Sequence, residues 1–510
     1  MELIEHLALG FSAAASAQNL LSCFIGSVLG TLIGVLPGIG PVATIAMLLP
    51  LTYGMPPLSA LIMLAGIYYG AQYGGSTTSI MLNLPGEASS AITCLDGHPL
   101  ARRGRAGAAL TVAALGSFFA GCVGTLFLAA FAAPLTTFAL DFGPAEYCSL
   151  MIFGLAGAIV LASKSLLKAC AMVVLGLLLG LVGTDVNSGA VRFTFGIREL
   201  NDGIGTAVLA VGVFGFAEIL LGLERLHEHS TLTARCGRLG LSRDELRQAT
   251  PAVLRGTGLG TLLGLLPGAG ALMPAFAAYA LEKWCARDPG RFGRGAIEGV
   301  AAPESANNAA AQTAFIPLLT LGIPSNAIMA LMIGAMTLHD IQPGPQVISH
   351  DPTLFWGLVA SMWIGNAMLV LLNLPLVGLW IRLLTTPYRW LFPAILLFCC
   401  IGIYTLSHST VDLLLTAFFG LLGYLLQKFD CEPAPLLLGF ILGPLFEEHL
   451  RRTLLLSRGD PSVFLSRPLS LVLLLAAAAL LCTALTPSAR RIRAQALTAE
   501  QDDAIADPAR

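Results

Sequence analysis

GTLIGVLPGIG, residues 30–40, sets four glycines and a proline into an otherwise apolar run. GTLLGLLPGAG, residues 260–270, repeats it 230 positions later with eight of the eleven positions identical. Proline lacks the amide hydrogen that a helix needs, and the flanking glycines admit conformations that other residues resist, so each copy reads as a built-in helix interruption. The surroundings make such an interruption costly. The chain has 510 residues, 56% hydrophobic and 11% charged, with a mean hydropathy of +0.79; an ordinary soluble domain carries about 25% charged residues. Residues 106–133, 145–163, 353–381 and 466–487 each reach the roughly 18–20 apolar residues that cross a bilayer. In hydrocarbon an unpaired backbone group is expensive, so an interrupted helix survives only where protein buries it or where it lines a wet cavity. The sequence therefore reads as an all-α polytopic membrane protein with broken or re-entrant helices and roughly 11–14 membrane segments.

Charge placement orders the threading. The first Lys or Arg is Arg102. The positive-inside rule then puts the N-terminus in the periplasm and Arg102, Arg103 and Arg105 in the first cytoplasmic loop. Span 106–133 leads out to DFGPAEY, 145–163 returns to Lys164 and Lys168, 169–184 leads out to TDVNSG, and 203–222 returns to a polar stretch. Arg192 and Arg198 in an outer loop are exceptions, and beyond residue 430 the rule is broken however Arg451, Arg452 and Arg458 are placed. The polar stretch 223–250 reads as a cytoplasmic linker between a first transmembrane repeat, 1–222, and a second with a terminal span, 251–487, ahead of a polar tail, 488–510. The first copy of the breaker enters from outside and the second from the cytoplasm, which makes the repeats inverted in topology. That organisation points to a secondary transporter with its site at the repeat interface. MELIEHLALGFSAAASAQNL lacks the positive n-region of a cleavable signal. Among eleven cysteines there is no CxxC pair, and Cys399 and Cys400 read as reduced packing residues. A net charge of −2 offers no field for nucleic acid.

A second motif follows each breaker: NLPGEASSA, 83–91, and GIPSNAIMA, 322–330, in which Pro85 and Pro324 correspond at an offset of 239. An interruption frees N–H groups that favour anions and carbonyls that favour cations. The candidate substrate and ion positions are Pro37, Gly38, Gly40, Ser76, Thr77, Thr78, Asn83, Pro85 and Gly86 in the first half. In the second half they are Pro267, Gly268, Gly270, Glu304, Asn307, Asn308, Pro324, Ser325 and Asn326. Amides and hydroxyls both donate to carboxylates and ligate Na⁺. Glu304, in VAAPESANNAA, is an acid in an apolar context, suited to holding a cation or carrying a proton. Packing competes with a site role: Gly30/Gly34 and Gly260/Gly264 have the small-xxx-small spacing of helix seams. Glu304 can also sit at a polar loop end near Glu298. Asp96 and His98 read as cytoplasmic loop residues, and Glu218 and Glu447 as membrane-boundary residues. GxxxxGK[ST] and HExxH are absent, as is any cysteine cluster with metal spacing, so the sequence offers no built-in ATPase or zinc hydrolase.

The chain resembles the large membrane subunit of tripartite tricarboxylate transporters, the TctA family. The resemblance lies in GTLIGVLPGIGPVATIAMLLPLTYGMPP, YYGAQYGGSTTSIMLNLPGEASSAITCLDGHPLARRGRAGAAL, GTLLGLLPGAGALMPAFAAYALEK, EGVAAPESANNAAAQTAFIPLLTLGIPSNAIMALMIGAM and LLLGFILGPLFEEHLRR, in order from about residue 15 to 460. It implies a translocating subunit in the bacterial inner membrane that needs no cofactor. Uptake of citrate or related carboxylates would be driven by a Na⁺ or H⁺ gradient rather than by ATP. The implied partners are a small membrane subunit (TctB-like) and a periplasmic solute-binding protein (TctC-like). The alternative is a stand-alone ion-coupled carrier of organic anions without partner subunits.

Overall fold

The structure, a computed structural model, describes residues 2–36, 40–161, 165–185, 188–224, 239–266, 270–383 and 391–485. The described chain is almost entirely helical. Five helical stretches are long and apolar enough to cross a membrane: Ala17–Val35, Ala88–Ala132, Thr206–Glu224, Pro352–Asn373 and Thr410–Lys428. Shorter apolar helices accompany them, so the chain is an all-α polytopic membrane protein. Its contacts divide into two compact units. The first comprises Met1–Leu140 and Gly205–Tyr424, the second Asp141–Ile204 and Leu425–Arg510.

The first unit opens with α1 (Glu2–Ala14), α2 (Ala17–Val35), α3 (Pro41–Leu48), α4 (Pro57–Leu82), α5 (Ala91–Leu100) and α6 (Ala106–Leu140). The second unit contributes α7 (Pro144–Leu161), α8 (Leu166–Gly180) and a two-stranded antiparallel hairpin that pairs Gly183 with Arg192. The first unit resumes with α9 (Thr206–Ala210), a π-helical stretch (Val211–Phe216) and α10 (Ala217–Glu224). After the polar stretch come α11 (Arg243–Leu263), α12 (Leu272–Cys285), α13 (Glu298–Thr313), α14 (Phe315–Leu321) and α15 (Ala327–Leu338). Then follow α16 (Gln346–His350), α17 (Pro352–Asn373), α18 (Val377–Leu383), α19 (Leu391–Ser407) and α20 (Thr410–Lys428). The second unit ends with α21 (Pro433–Leu456), α22 (Val463–Ser466) and α23 (Pro468–Leu485).

Two glycine seams hold the first unit together. At Gly26, Gly30 and Gly34 of α2 an added Cβ would run into the backbone of Met63, Ile67 and Ala71 on α4. At Gly256 and Gly260 of α11, and at Gly264 that caps it, the added Cβ would run into the backbone of Ala302, Ala306 and Ala310 on α13. The glycines recur after 230 positions and their partners after 239, the same two offsets that the motifs show. Lipid tails are as apolar as leucine, so helices associate here through close backbone approach, which only small residues permit. The packing role of Gly30, Gly34, Gly260 and Gly264 is therefore realised in the structure.

The ends of the paired elements also match. Asn83 (φ 59°) closes α4 and Gly322 (φ 71°) closes α14, each in the left-handed conformation and 239 positions apart. α2 ends at Val35 and α3 starts at Pro41, while α11 ends at Leu263 and α12 starts at Leu272. With 8 and 14 residues, α3 and α12 span about 12 and 21 Å, short of the roughly 30 Å hydrocarbon core.

In the second unit, α21 is one continuous 24-residue helix. Close approach recurs there: a Cβ at Gly176 would meet Leu436 O, and one at Gly439 would meet Val173 O. Arg192 binds Glu447 with both terminal nitrogens, at 2.8 and 3.2 Å. Arg451 reaches Glu447 at 2.6 Å and Asp185 at 3.0 Å. Two of the arginines that break the charge rule thus lie together, and two acids offset them.

Candidate functional site

Helix α13, EGVAAPESANNAAAQT, is neither long nor strongly apolar, yet every one of its residues is buried. Its alanines let neighbouring backbones approach, and the space left over holds Glu304, Ser305, Asn307, Asn308, Gln312 and Thr313. Helix α4 is the matching wall, with Gln72, Ser76, Thr77, Thr78 and Ser79 all buried. Burying a polar group is costly unless it is bonded; some of these groups bond to each other and others to backbone carbonyls.

Glu304 is the centre. It is 0% exposed. Ser76 Oγ donates to its Oε2 at 2.5 Å, Thr93 Oγ1 donates to its Oε1 at 2.5 Å, and Asn307 Nδ2 donates to Oε2 at 3.3 Å. All three donors are neutral. Two come from the first half of the sequence and one from the second. A chain of bonds leads outward. Asn307 Nδ2 reaches Ser89 Oγ at 3.4 Å, the single Ser89 hydroxyl proton has two acceptors in reach, Gln72 Oε1 at 2.8 Å and Glu87, and Gln72 Nε2 donates to Glu87 Oε2 at 3.0 Å. Glu87 is half-buried. Two carboxylates, one fully enclosed and one partly open, are therefore joined by an unbroken relay of amides and hydroxyls.

The remaining candidates fall into groups. Asn308 donates to Ser117 Oγ of α6 at 2.8 Å and to Asn307 Oδ1 at 2.6 Å, which fixes the Asn307 amide. Thr78 donates to Val35 O at 2.7 Å, satisfying a carbonyl at the very end of α2. Gly86 packs against Gly34 O and Gly75, where a side chain would not fit. Ser325 is buried and donates to Ala314 O at 3.3 Å. Asn326 caps α15 by accepting from Met329 N at 2.9 Å, and its amide donates to Tyr68 of α4 at 3.3 Å. A Cβ on Gly270 (φ +54°) would lie 3.7 Å from the Asn326 Cβ, so the second breaker meets the second Pro motif. Gly40 is the N-cap of α3, Pro324 is buried, and Asn83 and Pro85 are exposed. Thr77 lines a small cavity between α4 and α6. Pro37, Gly38, Pro267 and Gly268 lie outside the described residues, as does half of the linker, 225–238.

Several residues of this centre are not among the candidates, although Glu87 and Ser89 lie inside NLPGEASSA and Gln72, Tyr73 and Thr93 in the stretch around it. Thr93, Ser89, Gln72, Glu87, Ser117 and Tyr73 are ordinary letters in the sequence, and only the tertiary fold brings them to Glu304. Gln312 is fully buried and neither of its amide atoms has a partner. Asp96 departs from the loop reading. It lies on α5 at 0% exposure and accepts from Gly295 N and Ala296 N, both at 2.7 Å, and from Tyr279 Oη at 2.9 Å. It organises the loop after α12, whose Arg291 and Arg294 line an open cleft of about 520 Å³ with Arg103. Glu304, expected either in the membrane or at a loop end, lies mid-helix.

The family model for the tripartite tricarboxylate transporter TctA family matches residues 20–438. Among similar proteins, one from Agrobacterium vitis is described as an uncharacterized 52.8 kDa protein in the TAR-I ttuC' 3' region. It is 57% identical over 493 residues, covering 97% of this chain and 98% of that protein. A second from the same organism, described as lying in the TAR-II ttuC' 3' region, is 57% identical over 236 residues, 46% of this chain and 98% of its own length. No solved structure matches the chain. The matched span runs from α2 into α21 and includes both glycine seams and every residue of the Glu304 centre, so the chain belongs to the tripartite tricarboxylate transporter TctA family.

Proposed function

We propose that the chain is the large translocating subunit of a binding-protein-dependent importer of tricarboxylates or related carboxylates. It would work in the bacterial inner membrane with its N-terminus in the periplasm, beside a small membrane subunit and a periplasmic solute-binding protein. The driving force would be a Na⁺ or H⁺ gradient. One observation carries the reading: Glu304 is a fully buried carboxylate held by donors from both halves of the chain. Burying a charge without a counter-charge is costly, and an acid at membrane depth points to an ion path. A carboxylate substrate would be repelled by Glu304 unless a cation or proton entered with it. The same buried charge therefore favours coupled uptake over a passive pore.

The repeated offsets of 230 and 239 support two repeats, 1–222 and 251–487, joined by 223–250, and the charge placement along the sequence supports their inverted topology. In this reading the binding protein delivers the anion outside, the cation binds with it, and alternating access moves both. The helix starts at Pro41 and Leu272, each just after a PGxG motif, supply N–H groups suited to an anion. Uptake of labelled citrate and other small carboxylates tests the proposal in cells expressing the chain. It is run with and without the two partners, and with Na⁺ present or replaced. The expected result is uptake that needs all three proteins and collapses with the ion gradient. Uptake by the chain alone would make it a stand-alone carrier, and gradient-independent uptake would make it a channel.

A further inference from the structure

We infer that a small cavity walled by Tyr73, Ser76, Thr77, Ser117 and Asn373 is a binding site for a dehydrated monovalent cation. The inference rests on the transporter reading and locates its coupling ion. The cavity is about 10 Å³ and lies among α4, α6 and the end of α17, with leucine and alanine completing the wall. That volume admits one water-sized occupant and excludes any carboxylate.

The chemistry of the wall selects the occupant. Asn373 is 5% exposed, and its Nδ2 is committed to Leu369 O at 3.0 Å and Thr31 Oγ1 at 3.3 Å. Leu369 O can only accept, so the amide orientation is fixed and Oδ1 is left without a partner. Tyr73 is 3% exposed and its hydroxyl is also unpartnered. Ser76 spends its proton on Glu304 at 2.5 Å, and Ser117 spends its own on Glu304 O at 3.3 Å. Asn308 already donates to Ser117 Oγ at 2.8 Å, so among the cavity-lining residues Asn373 Oδ1 is an acceptor without a donor, and Ser76 and Ser117 keep oxygen lone pairs in reserve. A buried acceptor left without a donor, beside hydroxyl oxygens with lone pairs to spare, suits a cation held by neutral oxygens. The charge agrees. Glu304 stands directly behind Ser76, and all its bonded partners are neutral. A cation on Ser76 Oγ would sit one hydroxyl away from the uncompensated carboxylate. It would offset the cost of that buried charge and the repulsion of an incoming anion.

Equilibrium binding of ²²Na⁺ to the purified full-length chain, without carboxylate and in a choline background, tests the site. Saturable binding is expected, and Asn373→Leu and Ser117→Ala should each weaken it about tenfold or more, the loss of one good ligand. Size-exclusion and thermal-unfolding profiles show that each variant is folded; Ser117→Ala removes a single oxygen and serves if Asn373→Leu does not fold. Unchanged ²²Na⁺ affinity in a folded variant would overturn the assignment. So would absence of binding in wild-type chain that, assembled with its partners in vesicles, still exchanges labelled tricarboxylate; that result would give the cavity to water. Saturable, variant-sensitive binding without any tricarboxylate exchange would keep the cation site and remove the transporter reading.

Discussion

At the scale of single residues, the centre depends on who donates to whom. Glu304, Ser76 and Asn307 were nameable from the sequence because an acid and an amide pair in a run of alanines violate the hydrophobic pattern. Thr93, Ser89 and Gln72 were not, because a hydroxyl or amide in an apolar helix looks the same whether it bonds its own backbone or a residue 211 positions away. Asp96 shows the same limit. Beside Gly97, His98 and Pro99 it reads as loop, yet its helix seats it under the backbone of residues 295 and 296. The carboxylate accepts three hydrogen bonds; an amide in its place keeps one oxygen for the two backbone N–H groups and turns its NH2 toward Tyr279 Oη, so charge-assisted bonds become weaker neutral ones. Asp96→Asn should therefore destabilise the protein by at least about 1–3 kcal/mol. Tyr279→Phe, which removes one donor and leaves the two backbone bonds, should cost about 1 kcal/mol. Thermal unfolding of the purified chains orders the two, and equal stability of Asp96→Asn and wild type would contradict the bonding described here.

At the scale of elements, the repeat was legible and its packing only partly so. Identical letters at two offsets are visible in any sequence; which glycines touch backbone is a property of the helix pair. Gly258 sits two residues from both Gly256 and Gly260 on α11, yet nothing approaches within 4 Å of where its Cβ would be. Gly260→Val should cost about 1–3 kcal/mol or prevent stable insertion, as overpacking does, whereas Gly258→Val should be tolerated. Monodispersity and melting temperature in detergent measure both; equal tolerance would mean that the seam is not in place. Helix α13 was the element hardest to see. Its small and polar residues fail a hydropathy test for a span, because it is buried by protein on all sides and lipid has no part in its burial.

At the scale of the molecule, two compact units come from a chain whose internal repeat suggests a different division. Both glycine seams and the whole Glu304 centre belong to the first unit. The second has its own seams and an arginine–carboxylate network. Charge counting along the sequence lost its way after residue 430, since it could not know that Arg192 and Arg451 share Glu447. The central claim is that one buried centre, assembled from both halves of the sequence, couples ion to substrate. The direct measurement is tricarboxylate accumulation in vesicles holding the complete three-part system, with Glu304→Gln compared with wild type under an imposed Na⁺ or H⁺ gradient. Glutamine keeps the shape and removes the charge. The account predicts a folded variant whose accumulation falls about 100-fold or more. Accumulation at the wild-type level would show that the coupling lies elsewhere in the protein.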